Sequence, residues 1–336
     1  MTIENERNEF RPRLIMWELG SGENVPRRGA SREGCGEPLT THECLLILES
    51  IAGVSKPIVV FTGNSLLERQ DIFEIVAYGN AFGLKTIIEA RADELSEDVL
   101  RTFHKFGGRI FRIMLNSIIT EDEETRYKQS PEFLELEKTV ERMRKAGFEI
   151  HFGVKVGQPN ARKLSYDLDY AIRRSARGLY CHLWVGESDS VQHDENDAMQ
   201  SFDDYIERMA EIKNFAPSDM YFSPQCVRYR RSDSDETVAV KPELIPEKSP
   251  SAWKHSCVGG KSFAFITSDG IVRVCEALSH TCGDLRASRY DFKRVWEESE
   301  VFKRLRKTDG TCSETRQQLR DDREVQPVRA SNESGN

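Results

Sequence analysis

Four of the eight cysteines, Cys257, Cys275, Cys282 and Cys312, fall in one C-terminal stretch, with His255 and His280 among them. Thiolate is a soft ligand. Four thiolates in a small module can close a tetrahedral zinc site, and an imidazole can enter such a site. The same side chains can hold an iron–sulfur cluster. Cysteine is also among the most buried residue types, so plain buried thiols are a third reading. Cys44 stands among leucines and reads as a structural thiol. Cys35, between two glycines, is ambiguous. His151, Cys181 and His182 fall on expected strands, the last two in a C-terminal half, where barrel folds place their chemistry. A lone strand histidine is more often a packed, hydrogen-bonded residue. Arg228, Arg230 and Arg231 could meet the carboxylates of a substrate or form a solvated basic face. Glu23 and Arg27, four residues apart, could pair or stand in water. No nucleophile–base spacing stands out.

The elements that must position these residues alternate. Apolar runs at 14–17, 57–62, 85–89, 109–116, 148–156 and 178–185 read as strands, several of them apolar throughout, as strands covered on both faces are. Helical patterns fill the gaps. Thr40 and Glu43 form a capping box, Ser96 caps the next but one, and Ser130-Pro131 places a cap before a proline at the first helical position. Further helices are expected over about 71–82, from Ser165, and over 201–215. Six strand–helix units in a row predict parallel strands joined by crossovers, hence an α/β barrel or a doubly wound sheet. A hairpin over 262–274, turned by Ser268-Asp269-Gly270, and a helix near 292–305 predict a second, smaller module.

The chain has 336 residues, enough for one large domain and a smaller one. Lys and Arg number 48 against 56 Asp and Glu, a net charge of −8, which argues against broad nucleic-acid binding. No apolar run approaches the ~20 residues of a membrane span. The N-terminus, MTIENERNEFRPR, has no apolar signal-peptide stretch. The expected location is the cytoplasm, where cysteines are ligands or buried thiols rather than disulfides.

Three groups of residues go further. The strand 14–17 runs into the loop LIMWELGSGENVPRRGAS. The exit of the second strand reads VVFTGNSLLERQDIFEIV. In the second module Cys257 is followed by twelve residues, Gly270, four residues and Cys275, then Gly283-Asp284-Leu285-Arg286, the apolar Phe292, Trp296 and Phe302, and Cys312. Together these resemble the radical S-adenosylmethionine (SAM) superfamily, in particular the branch with a C-terminal SPASM or twitch domain. The likeness covers about 14–312, and CVRYRR at 226–231 is similar to the connector of a subgroup acting on heme precursors and peptides.

The resemblance implies a partial (β/α)6 TIM-like barrel of the radical SAM type with a small SPASM-like α+β module. It divides the chain into a flexible 1–12, a barrel over 13–215, a connector over 216–251, the module over 252–312 and a disordered polar tail over 313–336. It also implies where the site residues should be. The three cluster cysteines of the family's CxxxCxxC fall on Glu23, Arg27 and Ala30. Of the family's GGEP segment, Gly63 matches the first glycine, while Asn64, Ser65 and Leu66 replace the rest. Asn160 stands where the family commonly has an asparagine of the SAM pocket. Cys257, Cys275 and Cys312 match auxiliary-cluster positions, Cys282 could be the fourth, and Thr315 stands where a CxxC partner would be. An auxiliary [4Fe–4S] cluster, with zinc as the alternative, is therefore expected, and SAM cleavage is not. The expected function is a degenerate radical SAM/SPASM-like binding or accessory protein in peptide or cofactor maturation, partnering an intact radical SAM enzyme or its substrate. The alternative is an active redox or radical SAM-type enzyme modifying a peptide or tetrapyrrole precursor.

Overall fold

The computed structural model describes residues 10–20, 36–115, 130–156, 161–183, 209, 212–224, 227–231, 253–276, 278 and 280–325. Strands and helices alternate from the start. The chain runs β1 (Leu14–Gly20), α1 (Thr41–Val54), β2 (Ile58–Gly63), α2 (Ile72–Ala81), β3 (Lys85–Ala90), α3 (Glu97–Lys105), β4 (Ile110–Leu115), α4 (Pro131–Lys145), β5 (Glu149–Val156), α5 (Ala161–Arg173), β6 (Gly178–Leu183) and β7 (Tyr221–Pro224). β1 to β7 lie side by side in that order, each parallel to its neighbour. Parallel strands need covering helices, and the caps that start those helices are the ones legible in the sequence. Thr40 Oγ1 accepts from Glu43 N–H at 3.3 Å while Glu43 accepts from Thr40 N–H at 2.7 Å. Ser96 and Ser130 accept from Val99 and Phe133 N–H.

Strand alternation divides the apolar side chains between two faces. Ile15, Trp17, Val59, Phe61, Ile88, Phe111, Ile113, Phe152 and Val154 belong to the large core shared with the helices. Met16, Val60, Ile87, Ile110, Phe263 and Phe265 form a smaller cluster on the concave side. The result is the expected α/β architecture, a partial TIM-like barrel. Of the helix expected over 201–215, only Met209 and 212–215 are described, with Met209 and Ile212 buried.

Three features depart from the expected division. β7 and β8 (Val227–Arg231) lie in the stretch read as a connector, and β8 pairs antiparallel with β9 (Trp253–Cys257). The hairpin forms as expected from β10 (Phe263–Ile266) and β11 (Ile271–Arg273), followed by β12 (Thr281–Asp284). Yet β10 is not confined to a separate module: it pairs parallel with β1, Leu14 opposite Phe263, so one ten-stranded sheet runs through both parts. After α6 (Phe292–Glu298) and α7 (Glu300–Arg306), a helix α8 spans Cys312–Val325, correcting the expectation of a disordered tail from Ser313. α8 buries Ser313, Thr315 and Leu319, of which only the leucine is apolar, so no 3.6-residue apolar period betrays it.

Arg286, in the Gly283–Arg286 segment, ties the C-terminal elements to the start of α1. Its guanidinium donates to Glu43 Oε1 at 2.8 Å and Oε2 at 3.1 Å, and to the carbonyls of Glu37 (2.7 Å) and Pro38 (3.1 Å). Tyr290 O–H adds a bond to Glu43 at 2.9 Å. Arg286 holds the Glu43 carboxyl well below the usual carboxylate range, against burial, which pushes it up. Arg286→Ala is expected to cost about 1–3 kcal/mol, because hydrogen bonds to charged groups are the stronger kind. Arg286→Lys should recover little of it, since an ammonium cannot reproduce the fork. The shift of the urea midpoint reads both.

Candidate functional site

The concave face of the sheet carries charged residues where its strands would otherwise be apolar. The register sets them out. Glu18 on β1 pairs with Thr62 on β2, Glu89 on β3 with Arg112 on β4, and Arg112 with His151 on β5. Side chains at these positions point to one side of the sheet.

Glu89 is the hub. Its Oε1 accepts from the Thr62 hydroxyl at 2.9 Å. Its Oε2 accepts from His182 Nε2 at 3.0 Å and from an Arg112 Nη1 at 3.3 Å. Arg112 is 0% exposed, Glu89 and His182 7% each. Burial alone would push the carboxyl up. His182, Arg112 and Thr62 outweigh it and hold Glu89 down at about 2, so it is an anion throughout the physiological range. Gly153 makes room for this cluster. A Cβ there would sit 2.5 Å from Met114 Sδ, 3.1 Å from Arg112 Cδ and 3.4 Å from His182 Nε2.

Arg112 also lies over the Tyr180 ring, 3.9 Å from its centroid. Tyr180 stacks between His151 and Tyr221, at centroid distances of 5.7 and 4.7 Å. His151 Nε2 lies 3.3 Å from Glu149 Oε2, and its Nδ1 lies 3.3 Å from the Tyr180 hydroxyl. Burial pushes the His151 imidazole down to about 4, against Glu149, which pulls it up. The ring is therefore neutral, with one N–H to give. A carboxylate can only accept, so Nε2–H donates to Glu149 and Nδ1 accepts from Tyr180 O–H. The aromatic row ends at Tyr221, 43% exposed on the edge strand β7.

His182 and His151 are the strand histidines singled out in the sequence, and both face the concave side in defined hydrogen bonds. Cys181 does not join them. It belongs to the helix-side core, fully buried, and burial pushes its thiol well up. Glu89, Arg112 and Thr62 are the functional candidates that sequence reasoning missed. The signal was there, in Glu89 within KTIIEA and Arg112 within IFRIML, each set among apolar strand residues. Such a buried, charged layer can fix the polar edge of a ligand.

At the rim above this layer Gly20 and Gly63 meet backbone to backbone. Gly63 has φ +121°. Of the other expected SAM-site positions, Glu23, Arg27, Ala30 and Asn160 lie outside the described residues.

The four C-terminal cysteines do not form one cluster, although Cys275 lies near enough to Cys282 to help raise its thiol. Among the described residues no group of three or more His, Cys, Asp or Glu side chains is placed to hold a metal ion. Each expected ligand has another role. Cys257 bonds Thr315 and the Gly259 backbone. Cys312 N–H donates to His255 Nε2 at 3.4 Å. Cys282 Sγ–H points at the His280 carbonyl at 3.9 Å, and Cys275 packs against the concave apolar cluster. The four thiols do not fit an auxiliary cluster or a zinc site as they stand. No described helix is long and apolar enough to cross a membrane.

No family model matches the chain. It does have curated relatives. It is 26% identical over 315 residues to an AdoMet-dependent heme synthase of Methanosarcina barkeri, covering 90% of this chain and 87% of that one. It is 23% identical over 313 residues to one of Oleidesulfovibrio alaskensis, covering 89% and 79%. Among solved structures, Streptococcus suis SuiB bound to precursor peptide SuiA aligns over 90% of this chain and 69% of its own, with a TM-score of 0.56 at 11% identity. The enzyme anSMEcpe with bound AdoMet and a peptide aligns over 88% and 82%, with a TM-score of 0.50 at 12% identity. The fold is thus that of the radical SAM enzymes. In sequence the chain is similar over about nine-tenths of its length to AdoMet-dependent heme synthases, and in fold to SuiB and anSMEcpe.

Proposed function

We propose that this chain is a radical SAM-like binding protein that does not cleave SAM and that holds a heme precursor for an intact radical SAM enzyme. The carrying observation is the donor set of the first loop. Where three thiolates are needed, the chain has the carboxylate of Glu23, the guanidinium of Arg27 and the methyl of Ala30. A carboxylate suits hard cations, an arginine cannot ligate, and an alanine has no donor. The segment after β2 changes with it: Asn64, Ser65 and Leu66 follow Gly63, and Ser65 is left-handed at φ 52°. Two separate parts of one cofactor site have departed together.

The ligand class follows the sequence relatives, which are heme synthases. The concave face offers what a propionate-bearing tetrapyrrole needs, an aromatic row from His151 to Tyr221 and a fixed polar layer behind it. A peptide ligand has the support of two fold neighbours, SuiB with its precursor peptide and anSMEcpe with a bound peptide. Reading the chain instead as an enzyme acting on the same ligand draws on Glu89 and His182, a buried carboxylate–imidazole couple of the kind that moves protons.

The test is anaerobic reconstitution with iron and sulfide, then reduction with SAM present and titration with an iron porphyrin bearing propionates. No 5′-deoxyadenosine above the protein-free blank is expected, with saturable porphyrin binding weakened by Tyr221→Ala. Formation of 5′-deoxyadenosine in step with protein concentration overturns the reading.

A further inference from the structure

The half-buried Tyr180 ring lies where its neighbour on β6 leaves room. Gly178 stands in the sheet between His151 on β5 and Tyr221 on β7. A Cβ at 178 would lie 2.5 Å from Tyr180 Cε2 and 3.1 Å from its hydroxyl. With no side chain there, the Tyr180 ring folds back over position 178 and meets both neighbours, at 19° to the His151 ring and 25° to that of Tyr221. Its hydroxyl falls 3.3 Å from His151 Nδ1, while the other ring nitrogen is held by Glu149. His151 is 5% exposed and Tyr221 43%, so the row runs from a dry base to solvent.

We infer that Tyr180 is a redox-active tyrosine, which gives one electron through the Tyr221 ring to a soluble one-electron oxidant and its phenolic proton to His151 Nδ1. The Tyr180 O–H bond breaks, an N–H bond forms at Nδ1 and the oxidant is reduced by one electron. A neutral phenoxyl radical then faces an imidazolium, and one returning electron reverses every change. Burial keeps the His151 ring neutral beforehand, so Nδ1 offers a lone pair within reach of the proton. Glu149 offsets the charge that the ring gains, while Arg112 and Lys85 oppose it, so the proton goes back with the electron. The Arg112 guanidinium, 3.9 Å from the Tyr180 centroid, disfavours a positive charge on that ring, so the electron leaves only as the proton does. Tyr221 gives the electron its way out, with ring centroids 4.7 Å apart. This goes beyond holding a ligand and does not rest on it, since no tetrapyrrole enters the step.

The experiment uses the full-length chain without porphyrin, so its failure and that of the ligand reading are distinct. A light flash on tris(bipyridyl)ruthenium(II) with a cobalt(III) ammine, under argon, makes the ruthenium(III) oxidant. Transient absorption and electron paramagnetic resonance of frozen samples then follow phenoxyl radicals. Native protein should show a fraction that outlives the radicals of exposed tyrosines and forms more slowly in heavy water. Tyr180→Phe, which removes one oxygen and keeps the ring, should lack that fraction. His151→Leu should slow its formation by roughly a hundredfold, the loss expected for a positioned base, and Tyr221→Leu should slow it as well. A lasting radical that survives Tyr180→Phe overturns the inference, as does a native chain with no lasting radical. So does formation unchanged in heavy water, or unchanged in a His151→Leu protein with a native circular dichroism spectrum.

Discussion

Glu89→Ala is expected to destabilise the folded chain by about 3–5 kcal/mol, because it removes the buried carboxylate that the Arg112 guanidinium, His182 and the Thr62 hydroxyl share. Arg112 is 0% exposed and cannot turn out to water. Its contact with the Tyr180 ring remains, but a ring face replaces little of a carboxylate. Removing both charges should be milder. Glu89→Leu combined with Arg112→Met should lose far less than Glu89→Ala alone, since a buried pair and an apolar pair of similar volume are often close in stability. Urea denaturation of the three proteins reads this directly. A single mutant within 1 kcal/mol of native, roughly the loss of one neutral hydrogen bond, would show the pair to be solvated in practice.

The same cluster sets an acid limit. Glu89 is held at about 2 in the folded chain against an ordinary 4.5. A carboxyl lowered on folding stabilises the fold above its unfolded value, and the stabilisation fades as pH falls through the folded one. Native protein should therefore lose stability between about pH 4.5 and 2, and Glu89→Gln should show a shallower loss over that window.

Gly63→Ala is the second large effect. At φ +121° an L-residue is strained by about 1–3 kcal/mol before any contact is considered. The added Cβ would then lie 2.7 Å from both the N and O of Gly20, backbone atoms that cannot rotate away. The ends of β1 and β2 would have to part, breaking the Gly20–Gly63 register. A total loss of roughly 3 kcal/mol or more follows. Gly20→Ala should fail in the same way, its Cβ 2.3 Å from the Asn64 carbonyl. Melting curves check both. Exchange protection of the β1 and β2 amides should fall in the variants while that of β5 and β6 stays unchanged.

The barrel was legible because its signals are local and repeat. Thr40 with Glu43, Ser96 and Ser130-Pro131 cap the helices they announce, and six apolar runs become β1 to β6. What escaped depends on distant partners. β7 is four residues of mixed polarity, and only its place beside β6 makes it a strand. β10 reads as half of a hairpin, and nothing in FAFI says that its other edge belongs to β1. α8 hides because its buried face is mostly hydroxyls. The site divides along the same line. His151 and His182 stand out as residue types. Glu89 and Arg112 become a site only when two strands set them in register. The cysteines differ again: their spacing matches a pattern, while among the described residues no group of three or more His, Cys, Asp or Glu is placed to hold a metal ion, and Cys257 and Cys282 bond Thr315 and the His280 carbonyl.

The pairing of β1 with β10 bears on how the chain is made. β1 leaves the ribosome about 250 residues before its partner Phe263–Ile266, a separation that slows any fold needing it. Until then one edge of β1 is bare, with unpaired N–H and C=O groups beside an apolar strand. A nascent chain arrested before residue 263 should therefore be a client for chaperones that bind exposed strand edges, and release from them should coincide with synthesis of β10 rather than with completion of β1 to β7.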